Sequence, residues 1–438
     1  MKAAKFGGIL RAAVAGTVAG CIIAHPNRLS AAGFALREGS ADWMANAFAG
    51  DTAKAYDAST VWSNPAGMVR LNQNEIDGSL NGIFPNSTFS GANFVGPGIT
   101  TPGTTSGNLI QSAATGGVYA LWNLTPDFKL GFGADAPFGQ RVSDPGSFVG
   151  RYQSLVSSIT DEAFTISAAY RINEQWSIGG GPVIDVFTAR LTQALNTGPL
   201  AALGDPVVDL HGDDVSAGFN LGVLYQPTQD IRFGLDYRSR IRHDIDGTQS
   251  VFIPNGFSTF APPAAAALAA QNSSAATSIT LPDSVTAGFY WQATAQLALL
   301  ADIGWTDWSL LKTINVTPSS PFATPTAISE NWRNTVAVSV GANYRVAPEL
   351  MLQGGFGFDE SPVTDSNRTS RIPDANRYLI GVGAQYDILP NVTLQVAYVH
   401  VFFDSAPVST QASATSGVLA GTYNNAANTA SLGVRVRF

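Results

Sequence analysis

The last eight residues of the chain decide its fold class: Ser431-Leu432-Gly433-Val434-Arg435-Val436-Arg437-Phe438. Apolar side chains alternate strictly with small or charged ones, which is the period of a β-strand with one apolar face. An apolar edge strand is an aggregation hazard in a soluble protein, whereas a transmembrane β-barrel closes on its last strand and leaves no edge. The stretch therefore favours a membrane barrel over a soluble sandwich whose edge strand ends at Phe438.

The composition of the 438-residue chain agrees with a barrel. Only 13% of its residues are charged, 44 are glycine and the mean hydropathy is +0.09, whereas an average soluble protein has about 25% charged residues. After residue 24, no apolar run approaches the roughly 18 residues that a membrane-spanning helix needs. This moderate hydrophobicity without long apolar runs is typical of alternating membrane strands.

Residues 1–32 are predicted to be a secretion signal. A basic start is followed by the apolar stretch Ala12 to Ala24, and Ser30-Ala31-Ala32 supplies small residues for cleavage. The only cysteine, Cys21, lies within this segment, so the mature chain is expected to have no disulfide. The alternative is lipidation of Cys21, because the preceding Val18-Ala19-Gly20 resembles a lipidation motif.

The charge balance excludes a class of partner. Residues 1–32 hold four basic and no acidic residues, so their removal takes the net charge from −8 to −12. A chain this acidic is a poor partner for nucleic acid, whose phosphates are bound by basic side chains.

Residues 74–438 are predicted to form a 14-stranded antiparallel transmembrane β-barrel, an all-β fold. From Glu75 onward, alternating segments of roughly ten residues are separated alternately by tight turns and by long loops, which is the pattern of outer-membrane barrels. The segments are 75–84, 117–124, 128–136, 163–171, 176–189, 215–225, 231–241, 284–291, 297–308, 335–345, 350–358, 377–388, 392–402 and 429–438.

One strand shows the expected aromatic girdles. Tyr378 and Tyr386 share a face with the apolar residues between them and lie roughly 27 Å apart along a strand. We expect them to mark the two membrane boundaries, since aromatic residues concentrate there.

Residues 33–73 show no such alternation. Alanine-rich stretches, with Gly50 as a stop and Asn64-Pro65 as a turn, predict short helices. We interpret this segment as a compact unit that precedes the barrel.

Two features of the barrel point to ligands. The loop at 252–277 carries Phe257, Phe260 and Leu268 in an alanine-rich run, which suits either a hydrophobic ligand or a helix packed over the barrel mouth. Lipid would reject Arg238 and its basic neighbours at mid-membrane. Arg238 could bind a carboxylate head group in the lumen, or pair with an acidic residue such as Asp236 or Asp244.

The sequence contains no complete set of catalytic residues. The chain has four histidines and one cysteine, and they form no HExxH or CxxC motif. It also contains no phosphate-loop motif. The acidic residues Asp359, Glu360 and Asp365 are interpreted as a solvated loop in preference to a divalent-cation site. We therefore predict no enzyme activity, no cofactor and no metal.

These features resemble the FadL-type outer-membrane transporters of long-chain fatty acids and other hydrophobic compounds. The resemblance covers nearly the whole mature chain. Its motifs include Ala32 to Leu36 at the mature terminus, Asn64-Pro65-Ala66, Ala169-Tyr170-Arg171 with Trp176 to Gly179, Leu281-Pro282, Trp305 to Ser309, Phe358 to Val363, Asn367-Arg368, Ile372-Pro373-Asp374 and Arg377-Tyr378.

The resemblance implies a hatch in the lumen and a route for hydrophobic molecules. Residues 33–73 would be the hatch with Asn64, Pro65 and Ala66 as its key element, and Phe34 and Leu36 would lie near a lumenal pocket. Phe257, Phe260 and Leu268 would belong to an external capture groove. Asp135 and Pro137 would mark a lateral gap in the wall, where proline disrupts the ladder.

The predicted function is passive uptake of hydrophobic small molecules, foremost long-chain fatty acids, across the bacterial outer membrane. Aromatic or aliphatic hydrocarbons are the alternative substrates, and a general diffusion porin for polar solutes is the alternative of another class. The expected partners are the hydrophobic ligand, outer-membrane lipid and lipopolysaccharide, and the outer-membrane assembly machinery through Phe438. We expect a monomer.

Overall fold

The computed structural model describes residues 33–105, 108–411 and 415–438, so the predicted signal and Cys21 lie outside the described residues. Fourteen antiparallel strands form one closed barrel, as predicted. The wall strands are β1 Glu75–Gly96, β2 Ala113–Asn123, β3 Phe128–Asp135 continued by Gly139–Ser143, β4 Val156–Arg171, β5 Trp176–Ala194, β6 Val207–Tyr225, β7 Ile231–Arg238 continued by Ile241–Phe252, β8 Ser273–Leu281 continued by Ser284–Gln292, β9 Leu297–Thr306, β10 Thr335–Ala347, β11 Leu350–Asp359, β12 Arg377–Leu389, β13 Val392–Phe403 and β14 Val418–Arg437.

The C-terminal strand closes the barrel. β14 pairs with β1 from Glu75 opposite Arg437 to Phe94 opposite Val418, and with β13 on its other side. Closure pairs the backbone of both terminal strands, which is the condition for a sheet to survive in a membrane.

Short elements occupy the connections and the interior. The loops carry the strands Ile99–Thr100, Thr313–Pro318, Thr326–Ser329 and Ala406–Ser409, the helices α3 Asn255–Phe260 and α4 Pro262–Ala269, and the 3₁₀ turns Gly198–Leu203 and Trp308–Leu310. The segment before the barrel contains α1 Ala41–Ala45, α2 Thr60–Ser63 and the 3₁₀ helix Pro65–Arg70. No helix in the described part of the chain is long and apolar enough to cross a membrane.

The alternation of side chains along β12 confirms which face points outward. Tyr378, Ile380, Val382 and Tyr386 are exposed on the outer face, whereas Arg377 and its inward neighbours are buried. The outer face is therefore apolar with a tyrosine at each end, as lipid requires.

Most strands are longer at their external ends than the sequence indicates. The predicted loops 85–116, 190–213 and 242–282 contain regular strand, because β1 continues to Gly96, β5 to Ala194 and β7 to Phe252. Beyond the membrane both faces of a strand contact water or loops, so the apolar alternation ends although the ladder of hydrogen bonds continues.

Residues 33–73, which we call the interior segment, fill the barrel lumen. Most of this segment is buried, and it reaches several sides of the wall. Asn46 donates to Oδ1 of Asn343 at 2.7 Å, and Asn64 donates to the Val223 carbonyl at 3.1 Å. A Cβ on Gly355 would lie 1.9 Å from the Asn46 carbonyl oxygen, so the close approach of segment and wall requires glycine there.

A buried ion cluster holds the interior segment together. The Lys54 ammonium lies 2.9 Å from Asp42 and 2.9 Å from Asp51, and all three side chains are nearly inaccessible. Burial by itself lowers the pKa of Lys54, but the two carboxylates more than offset this and raise it. Lys54 therefore remains protonated at neutral pH.

Candidate functional site

The lumen contains a cavity of about 230 Å³ between the interior segment and the wall. Leu36, Phe48 and Trp62 of the interior segment form one side, and Phe138 and Trp308 close it on the other. Carboxylates and two arginines also line the cavity. Its walls combine large apolar rings with charged side chains that could orient a small molecule.

An aromatic cluster fixes the start of the interior segment beside this cavity. The Phe34 ring centroid lies 5.0 Å from that of Trp308, 5.6 Å from Trp332 and 5.8 Å from Phe138. Phe34 is fully buried, and the amide of Gly33 donates to Asp374 at 2.9 Å. The structure thus places Phe34 behind the cavity, while Leu36 lines it.

The wall is irregular where β3 is interrupted. Asp135 pairs with Ala163 of β4, but Gly139 pairs with Thr160, so three residues of β3 oppose two of β4. This is the geometry of a β-bulge. On its other side, the ladder between β3 and β2 ends at Ala134, beyond which only an isolated bridge joins Ile110 to Val142.

The interior segment covers this irregular stretch from within. The Leu36 amide donates to the Pro137 carbonyl at 2.7 Å, and the Gly139 amide donates to the Phe34 carbonyl at 2.8 Å. Residues 34–36 thus act as a short antiparallel strand against residues 137–139. Asp135 accepts a hydrogen bond from the Tyr119 hydroxyl at 2.8 Å.

An apolar groove of about 70 Å³ lies on the inner face near the external ends of β4 to β8. Its lining is almost free of polar side chains and includes Ile159, Phe187, Leu191, Leu210, Ile245, Ile279, Ile314 and Val316. Neither the sequence alternation nor any motif marked this groove, because its residues come from six separate strands.

The predicted loop residues lie beside this groove but do not line it. Helices α3 and α4 connect the external ends of β7 and β8, both of which contribute to the groove. Phe257 is fully buried, Leu268 is half-buried and Phe260 is 77% exposed. The predicted loop thus contains helices, and Phe260 is an exposed aromatic side chain at the end of α3.

Asn64-Pro65-Ala66 connects α2 to the 3₁₀ helix inside the lumen. Asn64 caps that helix by accepting from the Ala66 amide at 3.1 Å, and Pro65 occupies its first position. The Ser177 hydroxyl of β5 donates to the Ala66 carbonyl at 3.0 Å. This element therefore both ends one helix and fastens the segment to the wall.

Arg238 lines the cavity, as predicted for a lumenal arginine, and it contacts the interior segment. Its guanidinium lies 3.8 Å from the Trp62 ring centroid and donates to the Trp62 carbonyl. Asp236 interacts with it electrostatically, which matches the alternative of pairing with an acidic residue.

His243 is the buried histidine among the described residues. His243 lies between Asp214 at 2.9 Å and Asp185 at 3.4 Å. No serine or threonine hydroxyl bonds to His243 within residues 33–105, 108–411 and 415–438. No cluster of three or more His, Cys, Asp or Glu in these ranges could hold a metal ion.

Known proteins share this architecture. A long-chain fatty acid transport protein of Salmonella typhi is 25% identical over 84% of this chain and 87% of its own length. The crystal structure of a Pseudomonas aeruginosa FadL homologue covers 93% of this chain and all of that one, with a TM-score of 0.85 at 22% identity. A Pseudomonas putida toluene transporter, TodX, also covers 93% of this chain, with a TM-score of 0.67 at 15% identity.

The family model described as outer membrane protein transport protein (OMPP1/FadL/TodX) matches residues 23–438. This range includes the entire barrel and the interior segment. The chain therefore belongs to the OMPP1/FadL/TodX family of outer-membrane transport proteins.

Proposed function

We propose that this protein is a passive uptake channel for hydrophobic small molecules, foremost long-chain fatty acids. The observation that carries the proposal is the cavity with aromatic walls, which the irregular stretch of β3 lines together with the part of the interior segment that is hydrogen-bonded to it. Family membership supports hydrophobic compounds as the class of cargo.

The route that we propose has four steps. The ligand is captured in the external groove and on the exposed face around Phe260, and then passes to the lumenal cavity. Displacement of Phe34 from its aromatic cluster breaks the hydrogen bonds of residues 34–36 to residues 137–139. The ligand then leaves sideways between β2 and β3, beside Asp135 and Pro137, into the membrane.

Physical reasoning supports a lateral exit over a vertical channel. A fatty acid gains about 0.8 kcal/mol for each methylene that leaves water. A path through the groove, the cavity and the membrane keeps its chain in apolar surroundings, whereas a water-filled pore does not. No energy source is needed if later consumption of the substrate maintains the gradient.

Hydrocarbons are the alternative cargo, since the lining of the apolar groove formed by β4 to β8 is mostly aliphatic and aromatic. A fatty-acid anion would need a cation in the cavity, and Arg37 and Arg238 are the basic residues that line it. Arg238 is the contact that the sequence suggests.

Binding titrations of the purified protein in one detergent test the proposal. The panel contains oleate, hexadecane, toluene and a polar sugar, and Arg238→Ala is titrated alongside. We expect saturable binding of lipophiles and none of the sugar. Weaker oleate binding in Arg238→Ala with unchanged hexadecane binding would support a fatty-acid channel. Equal binding of all lipophiles would favour hydrocarbons, and binding of none would refute the proposal.

A further inference from the structure

Acidic residues outnumber basic ones in the lining of the lumenal cavity. Two arginines line it, Arg37 and Arg238, and there is no lysine or histidine among its described lining residues. Six aspartates line the same cavity: Asp51, Asp135, Asp185, Asp236, Asp302 and Asp359. Lys54 lies 2.9 Å from Asp51 and Arg377 lies 3.9 Å from Asp359, so these two carboxylates have a cation behind the lining. The other four aspartates still outnumber the two lining arginines, in surroundings that screen charge poorly.

Both arginines are already engaged. Arg238 stacks on Trp62 and donates to its carbonyl. The Arg37 guanidinium lies 4.6 Å from the Phe48 ring centroid and interacts electrostatically with Asp302 and Asp359. Neither is a free cation that awaits an anion.

One lining carboxylate has an unused acceptor. Asp302 is 4% exposed, and its Oδ2 accepts from the amide of Thr52 at 3.3 Å and from the Thr52 hydroxyl at 3.4 Å. No donor within the described part of the chain reaches its Oδ1. A buried carboxylate oxygen without a donor is costly, so a ligand that supplies one is favoured.

We propose that the lumenal cavity selects long-chain ligands whose head group donates hydrogen bonds and carries no negative charge, with Asp302 as the acceptor. The proposal rests on the proposed function. A long-chain alcohol donates its hydroxyl proton to Asp302, and a long-chain ammonium also gains an ion pair. A fatty acid occupies the cavity as the neutral acid, whose hydroxyl donates in the same way, because its anion has no proton to donate to Asp302 and both lining arginines are already stacked on aromatic rings.

The experiment compares four ligands of similar chain length on the folded, detergent-solubilised protein near neutral pH: oleyl alcohol, oleylamine, oleate and hexadecane. Each is titrated against the wild-type protein and Asp302→Asn. The control is Asp244→Asn, which alters a 71%-exposed side chain paired with Arg242 outside the cavity. Partition of a ligand into the micelle is the same for all variants, so ratios between variants report the protein alone.

We expect the wild-type protein to bind oleylamine and oleyl alcohol at least about tenfold more tightly than oleate, the size expected for a like charge at a poorly screened site. Asp302→Asn should reduce the preference for oleylamine over oleate by about tenfold, and Asp244→Asn should leave it unchanged. If Asp302→Asn fails to fold, Asp302→Glu takes its place in the comparison. Because glutamate retains the carboxylate, this variant should keep the preference for oleylamine over oleate.

Two results would overturn the inference. Oleate binding that is tightest of the four and insensitive to Asp302 would refute it, as would equal binding of hexadecane, alcohol and amine, although the proposed uptake of lipophiles would stand. If none of the four binds, the proposed function fails as well.

Discussion

Asn64 uses its side-chain amide to join the interior segment to the wall. Its Nδ2 donates to the carbonyls of Thr52 at 2.8 Å and Val223 at 3.1 Å, and its Oδ1 accepts from Ala66. Asn64→Ala leaves these buried backbone groups without a hydrogen-bond partner, which costs about 1–3 kcal/mol of stability for each group. We predict transient ion currents through the variant in planar bilayers, and none through the wild-type protein.

Asn64→Ser is the matched control for this residue. Serine retains an acceptor for the Ala66 amide but loses the two donors, so its currents should be rarer than those of Asn64→Ala. If Asn64→Ala conducts no more ion current than the wild-type protein, the Asn64 side chain does not hold the interior segment in place.

Glu330 is a buried carboxyl group in the connection between β9 and β10, outside the wall strands. Burial raises its pKa from 4.5 to about 7, although Nε1 of Trp332 donates to its Oε2 at 3.1 Å and opposes the shift. Between these two values the folded protein holds the proton and the unfolded chain does not, so stability falls as pH rises through this window and levels off above it.

Tryptophan fluorescence can follow this titration. The difference between the wild-type protein and Glu330→Gln should change with a midpoint near 7 because Trp332 contacts the ionising carboxyl. Superimposable curves for the two proteins would contradict the prediction.

At the scale of the element, the bulge in β3 is the feature with the clearest consequence. Its two parts differ by one residue in their register against β4. Deletion of Pro137 therefore restores one continuous register and straightens the strand. We predict that the deletion variant assembles and binds ligand, but that its uptake rate falls by about tenfold or more, the loss expected when a productive path is closed.

Pro137→Ala keeps the residue count and hence the bulge, so this control should retain most of the uptake. Uptake by the deletion variant at the wild-type rate, with equal amounts in the outer membrane, would exclude the bulge as the exit.

The sequence predicts the fourteen strands because lipid imposes an apolar face on each of them. It also predicts the irregular stretch at Asp135 to Pro137, since proline cannot donate to a ladder. The pairing of Ala35 with Phe138 could not be predicted, because the bridge joins residues that are far apart in the chain. The apolar groove near the external ends of β4 to β8 could not be predicted for the same reason, because its lining residues come from separate strands.

Charge inside the barrel was also beyond reach of the sequence. Alternation assigns Asp302 to the inner face of β9, but only the structure shows that Asp302, Asp236 and Asp185 converge on one cavity. Arg37 lies in the interior segment, where no alternation indicates which way a side chain points.

The whole molecule is a closed barrel whose lumen holds the interior segment, and under the proposed function this arrangement distinguishes it from a porin. Lys54, buried with Asp42 and Asp51, holds that segment together. Lys54→Met would leave two buried carboxylates without their cation, which should lower the stability of the folded segment by about 3–5 kcal/mol. We predict that protease cleaves the interior segment of this variant at a lower urea concentration than it cleaves the segment of the wild-type protein, while the barrel stays folded.

Measuring the uptake of lipophiles by intact cells tests most directly whether the barrel transports them. Bacteria that lack a related transporter would express the wild-type protein or the Pro137 deletion variant at equal surface amounts, and entry of labelled oleic acid and of a polar sugar would be measured. We predict faster entry of oleic acid with the wild-type protein only, and no change for the sugar. Sugar entry through the wild-type protein without any gain in oleic acid uptake would contradict a hydrophobic uptake channel and indicate a porin.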